Sequence, residues 1–374
     1  MRQSCGLVGH TDPICFIMKI PAFLLCLTAT VLHAAEPEPP GIQHLVAVKD
    51  VCAWPALTLL PDGSINATLF SKPSHGQVAG AVEVWNSPDG TAWTKRGVPS
   101  PNEPETNRMN HAAGLAKNGD LIVLVSGWTN RKQPQRPKQA DFRDDILPTW
   151  VCRSADGGKT WTQIKEFPEP DPGWTNFIPF GDIKTGEDGA LHVSCYGGEF
   201  TDPAKSTKTK GYRSWHFRSD DDGKTWKRIS VIHPTGNETT VLPLGGKRWI
   251  AASRERAMDL FWSEDDGLTW SQPLRVTAPN EINGHLVRLK DARLVLTYGC
   301  RVKERFGVLA KVSGDEGKTW GEPLRLATSL EGDCGYPSTV QRTDGKLVTA
   351  WYAKATPLYS SYQMGVTIWN APER

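Results

Sequence analysis

The chain has 374 residues, of which 39% are hydrophobic and 15 are Trp, so it can bury a large core and is not a disordered polymer. Its formal net charge at pH 7 is +2, and charges of both signs are scattered along the chain without blocks. This distribution excludes the basic patches that are typical of proteins that bind nucleic acid or lie on a membrane surface.

The first 35 residues have the pattern of a secretory signal peptide, with Met18 as its predicted start. Lys19 precedes a short apolar run, Ile20–Leu32, and the small residues Ala34–Ala35 precede a polar, proline-rich stretch. The apolar run is too short for a good transmembrane span. We therefore expect a secreted or periplasmic protein, not bound to the membrane after removal of the leader, with residues 36–374 as one domain.

The cysteines do not predict a metal site or a disulfide framework. Five remain after the leader, at positions 52, 152, 195, 300 and 334, and an odd number cannot all pair. No CxxC or HExxH spacing occurs, so we expect neither a metal nor another cofactor.

An eight-residue motif of the form S-x-D-x-G-x-T-W predicts a repeated tight turn. In such a turn the Asp accepts backbone N–H groups, the Gly adopts a positive φ, and the Trp packs the turn onto its sheet. The copies are Ser154–Trp161, Ser219–Trp226, Ser263–Trp270 and Ser313–Trp320, with a shortened copy at Ser87–Trp93.

A second repeat interleaves with these boxes and consists of two apolar strands joined by a turn of the Asp-Gly type. Its six copies are Ala56–Phe70, Ala112–Gly127, Asp182–Tyr196, Thr239–Ser253, Gly284–Tyr298 and Ser338–Tyr352. With a further strand on each side of every box, the repeat unit has four antiparallel strands.

Six such units predict an all-β fold, a six-bladed β-propeller. The sixth unit lacks a box, so its third strand would be Tyr362–Trp369 and its fourth would come from the N-terminus, at His44–Lys49. Pairing the two ends would close the ring and remove an open edge. In this geometry the turns lie on one face, and functional residues belong at the starts of the first strands and the ends of the second strands, on the other face.

The boxes and hairpins resemble the sialidase (neuraminidase) superfamily of Asp-box, or BNR-repeat, propellers, across nearly all of the chain after the leader. The resemblance implies that Tyr336, in Gly335–Ser338, is a nucleophile and that Glu238, in Asn237–Val241, is the base that takes its proton. It also implies that Arg254 and Arg305 bind the carboxylate of the substrate. These side chains suit the chemistry, because a neutral phenol attacks an anionic sugar without repulsion and arginines bind carboxylates bidentately.

Two departures from the family pattern change the expected site. The first hairpin opens with Ala53-Trp54-Pro55 where the family has an arginine, and the loop of residues 71–77 has no acidic residue where the family has an Asp acid/base. His75 is the only residue of that loop with a suitable reference pKa, so it is our candidate acid/base.

Four other residues are candidate substrate contacts. Arg301 or Arg108 could replace the missing positive charge. Trp54 is either a platform on which a sugar stacks or a core residue. His111 either faces the channel or satisfies backbone groups.

The main hypothesis is an exo-acting glycoside hydrolase that releases a terminal sialic acid or a related acidic sugar from a glycan or glycoconjugate, and acts as a monomer. A polysaccharide lyase that uses His75 and Tyr336, another glycosidase, and a non-catalytic carbohydrate-binding propeller remain alternatives.

The leader makes a first testable prediction. N-terminal sequencing of the exported protein should begin near Glu36, because the small residues of a cleavage site precede it. A cytosolic product that keeps residues 18–35 would contradict this prediction.

Overall fold

The structure, a computed structural model, describes residues 36–74, 79–129, 145–202 and 209–373. Residues 36–374 form one compact unit. Over the described residues the chain has 24 strands and no helix. The strands are, in chain order, β1 (Gln43–Lys49), β2 (Ala53–Leu59), β3 (Ile65–Phe70), β4 (Val82–Ser87), β5 (Thr94–Ser100), β6 (Thr106–Leu115), β7 (Leu121–Thr129), β8 (Asp145–Ser154), β9 (Thr162–Ile164), β10 (Ile178–Thr185), β11 (Leu191–Phe200), β12 (Thr209–Ser219), β13 (Lys227–His233), β14 (Thr239–Gly245), β15 (Arg248–Arg254), β16 (Met258–Ser263), β17 (Leu274–Arg275), β18 (Glu281–Arg288), β19 (Leu294–Cys300), β20 (Gly307–Ser313), β21 (Leu324–Thr328), β22 (Cys334–Gln341), β23 (Leu347–Ala353) and β24 (Gln363–Trp369).

These strands form five sheets among the described residues. Four sheets contain four strands each: β2 to β5, β14 to β17, β18 to β21, and β22 to β24 with β1 at the edge. The fifth has eight strands, in which the antiparallel groups β6 to β9 and β10 to β13 are joined by parallel pairing of Gly181 with Ala112 and Asp182 with Ala113. The predicted all-β fold is confirmed, whereas the closed six-bladed arrangement stays a prediction because none of these sheets closes on itself.

The second strand of each group is buried along its whole length or nearly so. In β19 and β23 every residue is buried. A strand covered on both faces needs apolar residues at successive positions, which explains runs such as Leu-Val-Leu-Thr-Tyr in β19. These strands form the core of each group, and all six predicted hairpins are present.

The predicted pairing of the two chain ends is confirmed. β1 runs antiparallel to β24, with Gln43 opposite Ile368 and Lys49 opposite Gln363. β1 therefore supplies the fourth strand of a group whose other strands come from the end of the chain.

The box turns connect the third and fourth strands of their groups, as predicted. In the first full copy Ser154 Oγ accepts the N–H of Gly158 at 2.8 Å, and Asp156 accepts the N–H and the hydroxyl of Thr160 at 2.9 and 2.7 Å. Gly158 has a φ of 101°, a conformation that disfavours residues with a Cβ. Trp161 Nε1 donates to the carbonyl of Gly158 at 3.0 Å, so the indole closes the turn.

Each group of four strands contacts the next group, and the last contacts the first. One hydrogen bond or pairing at each junction illustrates this: Asn66 to Gly157 at 3.2 Å, Gly181 paired with Ala112, His216 to Gly267 at 3.2 Å, Arg248 to Glu316 at 2.6 Å, Thr297 to Thr339 at 3.1 Å, and Leu57 to Ser338 at 2.9 Å. The succession of contacts therefore returns to its starting group.

Two further observations concern membrane-spanning helices and the cysteines, whereas the leader lies outside the described residues. Among the described residues, no helix has the length and apolar character needed to cross a bilayer. All five cysteines of the described part are buried, and Cys152, Cys195, Cys300 and Cys334 are free thiols.

A pair of histidines is buried at one of these junctions. His192 Nδ1 lies 3.0 Å from His216 Nε2, the rings stack with centroids 5.0 Å apart, and His216 Nδ1 contacts the carbonyl of Gly267. Burial lowers the pKa of His192 to about 4, and burial together with the neighbouring His192 lowers the pKa of His216 to about 3. Both rings are therefore neutral in the folded protein at neutral pH.

This pair predicts loss of stability in mild acid. An unfolded histidine takes up a proton near pH 6.5 whereas the folded rings do not, so their contribution to stability is complete above pH 6.5 and falls as the pH drops toward about 4. The free energy of unfolding should drop between pH 6.5 and 5 by on the order of 2 kcal/mol per histidine, measured by urea titration. His216→Asn should flatten this slope, and an unchanged slope in that variant would contradict the assignment.

Candidate functional site

A cavity of about 310 Å³ lies where the first strands of the groups begin. Every group of strands contributes residues to its lining. The cavity thus lies on the face that we predicted to carry functional residues. Representative lining residues, one from each group, are Trp54, His111, Asp182, Glu238, His285 and Tyr336.

Tyr336, Glu238 and Arg254 form a hydrogen-bonded cluster in this cavity. The phenol of Tyr336 donates to Glu238 Oε1, and Arg254 Nη1 donates to Glu238 Oε2 and, at 3.2 Å, to the phenol oxygen. Asn283 Nδ2 also donates to Glu238 Oε2, at 2.6 Å. The structure thus brings these three residues, which are far apart in the chain, into direct contact, and Asn283 adds a further contact.

A local irregularity at the start of β22 directs Tyr336 into the cavity. The pairing of β22 with β23 is regular at Gly335 and again at Ser338 but shifts register between them. Tyr336 has a φ of 48°, which is uncommon for a residue with a bulky side chain. Such strained positions occur preferentially at functional sites, and this one is surrounded by packed strands that maintain it.

The same irregularity recurs at the start of other first strands. The register shifts between Ala53 and Ala56 in β2, where Trp54 has a φ of 46°, and between Ile282 and His285 in β18, where Asn283 has a φ of 61°. β-bulges of this kind re-aim side chains next to active sites. They explain why the first strands present large side chains to the same cavity.

The electrostatics keep the phenol protonated until a base accepts its proton. Burial, followed by the negative charge of Glu238, raises the pKa of Tyr336 well above its usual value. Burial alone would lower the pKa of Arg254, but the charge of Glu238 outweighs it and raises that pKa. Glu238 accepts the phenol hydrogen bond directly, so it is placed to receive the proton.

Arg301 is the second arginine of the cavity. Its Nε donates to the carbonyl of Cys334 at 3.0 Å, its Nη2 donates to the hydroxyl of Tyr352 at 2.8 Å, and its guanidinium lies 5.7 Å from the centroid of the Tyr336 ring. Burial alone would lower the pKa of Arg301, but the neighbouring phenols and Asp333 raise it. Arg254 and Arg301 therefore place two positive charges beside one phenol.

Arg305, which the family pattern assigned to the carboxylate-binding pair, does not line the cavity. Its Nε donates to Glu36 at 2.7 Å, and its Nη2 contacts Glu281 at 3.3 Å. Glu36 also pairs with Arg325. The structure thus brings Arg301, the candidate replacement, to Tyr336 and holds Arg305 in an ion-pair network elsewhere.

Arg108 does not reach the cavity either. It is buried, pairs with both oxygens of Glu103 at 3.0 and 2.7 Å, donates to the carbonyl of Pro148, and stacks over Trp150 at 3.9 Å. All these contacts are structural. The expectation that Arg108 supplies a charge to the site is not supported by this placement.

His111 and Trp54 both line the cavity. The ring nitrogens of His111 lie 3.0 Å from the carbonyls of Met109 and Thr68, and burial lowers its pKa to about 4, so it presents a neutral ring. Trp54 stacks on Phe70 with centroids 5.5 Å apart and meets the edge of Tyr336 at 6.2 Å. Trp54 is thus both a packing residue and part of the wall. His75 lies outside the described residues.

A buried ionic group that includes the lining residues Asp182 and His285 was not predicted as a group. Asp182 Oδ2 lies 2.7 Å from His285 Nε2 and 2.6 Å from Lys184 Nζ, and His285 Nδ1 accepts the N–H of Thr339 at 3.2 Å. Burial favours a neutral carboxyl, but His285 and Lys184 outweigh it and hold the pKa of Asp182 well below its usual range. Asp182 and His285 stood at hairpin starts in the sequence, but 103 positions separate them, and no local pattern links them.

No set of three or more His, Cys, Asp or Glu side chains in the described ranges is arranged to hold a metal ion. The ionisable groups beside Tyr336 in the cavity are the carboxylate of Glu238 and the guanidinium groups of Arg254 and Arg301.

A family model described as a BNR repeat-like domain matches residues 57–349. A curated sialidase of Micromonospora viridifaciens is 23% identical over 249 residues, which cover 60% of this chain and 37% of the relative. The chain thus spans well under two thirds of the length of that relative.

Several solved structures share the fold. A Dyadobacter fermentans protein described as of unknown function superposes with a TM-score of 0.72 at 21% identity, over 88% of this chain and 99% of that one. Trypanosoma rangeli sialidase in complex with sialic acid gives 0.66 at 16% identity, over 89% and 59%. Hadza microbial sialidase Hz136 gives 0.65 at 17% identity, over 85% and 65%. At these identities the likeness concerns the fold alone.

Proposed function

This chain belongs to the BNR repeat-like domain family, and on that premise we propose that it is an exo-acting glycoside hydrolase of the sialidase type. Its substrate is a glycan or glycoconjugate that ends in sialic acid or a related acidic sugar. The observation that carries the proposal is the direct hydrogen bond from the phenol of Tyr336 to the carboxylate of Glu238. Arg254 donates a hydrogen bond to each of these two groups.

In the proposed reaction Tyr336 is the nucleophile. Its oxygen forms a bond to the anomeric carbon while its proton passes to Glu238, and the bond from that carbon to the aglycone oxygen breaks. The leaving oxygen takes a proton from an acid, for which His75 remains our candidate. Water then attacks the anomeric carbon and gives its proton to the group that protonated the leaving oxygen, for which His75 is our candidate. The bond from the anomeric carbon to Tyr336 breaks, and the phenol recovers its proton from Glu238.

Arg254 and Arg301 determine the charge of the substrate in this proposal. Both guanidinium groups line the cavity beside Tyr336, whereas Asp333, the carboxylate 4.0 Å from Arg301, is not among the lining residues. An anionic substituent near the anomeric carbon would meet these guanidinium groups, which bind carboxylates with well-defined geometry. Trp54 occupies the wall beside them and offers an apolar surface to the sugar.

We infer that the groups of strands are arranged as a six-bladed propeller and that the chain is exported. The return of the inter-group contacts to the first group, the pairing of β1 with β24 and the similarity to sialidase structures support the propeller. The leader pattern of residues 18–35 supports export, and glycans of cell surfaces and secretions are then within reach.

Variants of the phenol–carboxylate pair test the mechanism. Tyr336→Phe should abolish normal turnover, because the nucleophilic oxygen is lost, and Glu238→Gln should lower kcat by roughly 10²–10⁴-fold, the usual contribution of a general base. Rates would be measured with aryl glycosides of acidic sugars, and folding would be checked by circular dichroism.

Product analysis in the same assay separates this mechanism from the alternatives. Free sugar formed by water addition supports hydrolysis, an unsaturated product absorbing in the ultraviolet would show a lyase, and binding without turnover would show a carbohydrate-binding protein. Hydrolysis by Tyr336→Phe at the wild-type rate would refute the proposed role of Tyr336.

A matched pair of arginine variants tests the carboxylate site. Arg301→Lys keeps the charge but loses the planar fork, so KM for an acidic substrate should rise about 10-fold. Arg305→Lys makes the same chemical change outside the cavity and should alter KM by less than about 2-fold. Equal effects of the two variants would show that Arg301 has no special role in binding.

A further inference from the structure

Asp333 lies in the loop before β22, three residues ahead of Tyr336, and binds two phenols. The hydroxyl of Tyr352 donates to Asp333 Oδ1, and that of Tyr362 donates to Oδ2. Tyr352 is buried on β23, and its ring centroid lies 5.7 Å from that of Tyr336. Asp333 is therefore linked through Tyr352 to Tyr336, which lines the cavity.

The hydroxyl of Tyr352 links Asp333 to Arg301. Arg301 Nη2 donates to that hydroxyl oxygen at 2.8 Å, and a guanidinium can only donate. A phenol has one hydroxyl hydrogen, so the hydroxyl of Tyr352 accepts a hydrogen bond from Arg301 and donates one to Asp333. The carboxylate thereby fixes the direction of both hydrogen bonds, and it also lies 4.0 Å from Arg301 Nη2.

These contacts leave one edge of Arg301 for a ligand. Nε is bound to the carbonyl of Cys334 and Nη2 to Tyr352, which holds the guanidinium plane at two points. Within the described part of the chain, Nη1 has no hydrogen-bond partner, and Arg301 lines the cavity. The two anchors thus determine where Nη1 is presented.

We propose that Asp333 is a positioning residue that acts through Tyr352 to orient Arg301 toward the acidic group of the substrate. This inference rests on the proposed function, since it concerns the same cavity. Packing alone would require only the ring of Tyr352. The hydrogen bonds from Arg301 to Tyr352 and from Tyr352 to Asp333 also use its hydroxyl, both as acceptor and as donor. Asp333 and Tyr352 together thus give the site its preference for an anionic sugar.

The test is a double-mutant cycle on binding, with sialic acid and its methyl ester as probes. Asp333→Asn and Tyr352→Phe should each weaken the binding of sialic acid about 10-fold by calorimetry, and the preference for the acid over the neutral ester should shrink equally. Because both residues act along one chain of contacts, the double variant should bind about as weakly as Tyr352→Phe alone.

Tyr359→Phe is the matched control. Tyr359 also donates its hydroxyl to an aspartate, Asp50, at 2.9 Å, but it has no contact with Arg301. This variant should bind sialic acid with wild-type affinity, and thermal unfolding would verify that all variants are folded at the assay temperature.

The possible outcomes separate the two proposals. Wild-type affinity in Asp333→Asn, or additive losses in the double variant, would overturn the positioning role while the proposed function stands. An equal loss of affinity for acid and ester would overturn it as well, because a general structural effect would then explain the result. Failure of the wild-type protein to bind sialic acid would overturn both.

Discussion

The candidate site depends on the hydrogen bonds to the carboxylate of Glu238. This buried carboxylate receives hydrogen bonds from Tyr336, Arg254 and Asn283, which belong to three different groups of strands. Burial of a carboxylate without hydrogen-bond partners costs free energy of folding. The contacts of Glu238 with its three donors therefore link their groups of strands to one another. The geometry of the candidate site and the packing between groups of strands therefore depend on the same contacts.

The strained starts of the first strands have a related role. At Trp54, Asn283 and Tyr336 the backbone adopts positive φ values that regular strands avoid. The side chains of Trp54 and Tyr336 line the cavity, and that of Asn283 donates to Glu238. The regular part of the fold, with its box turns and buried second strands, is what maintains these local conformations.

The sequence was sufficient where the determining interactions are local. The box turn is closed by hydrogen bonds within eight residues, so its motif predicts its structure, and the hairpins follow from apolar runs and their turns. Tyr336, Glu238 and Arg254 were predicted because their places at strand ends match a family pattern.

Longer-range features were not predictable in the same way. Arg301 and Arg305 are four residues apart on the same loop, and their long side chains turn to different partners, Tyr352 and Glu36. Arg108 finds Glu103 and Trp150, and Asp182 finds His285. In each case the contact depends on how the groups of strands pack against one another. The pattern of residues within a single strand carries no information about that packing.

The pairing of β1 with β24 also determines the order in which the molecule can be built. Among the described strands β1 is synthesised first, yet its partner β24 is synthesised last. At about 5–20 residues per second, β1 therefore waits on the order of tens of seconds for its partner. The sheet that carries Tyr336 thus becomes complete only after Trp369 has been synthesised, so a chain that stops before β24 would lack the strand that joins β1 to β23.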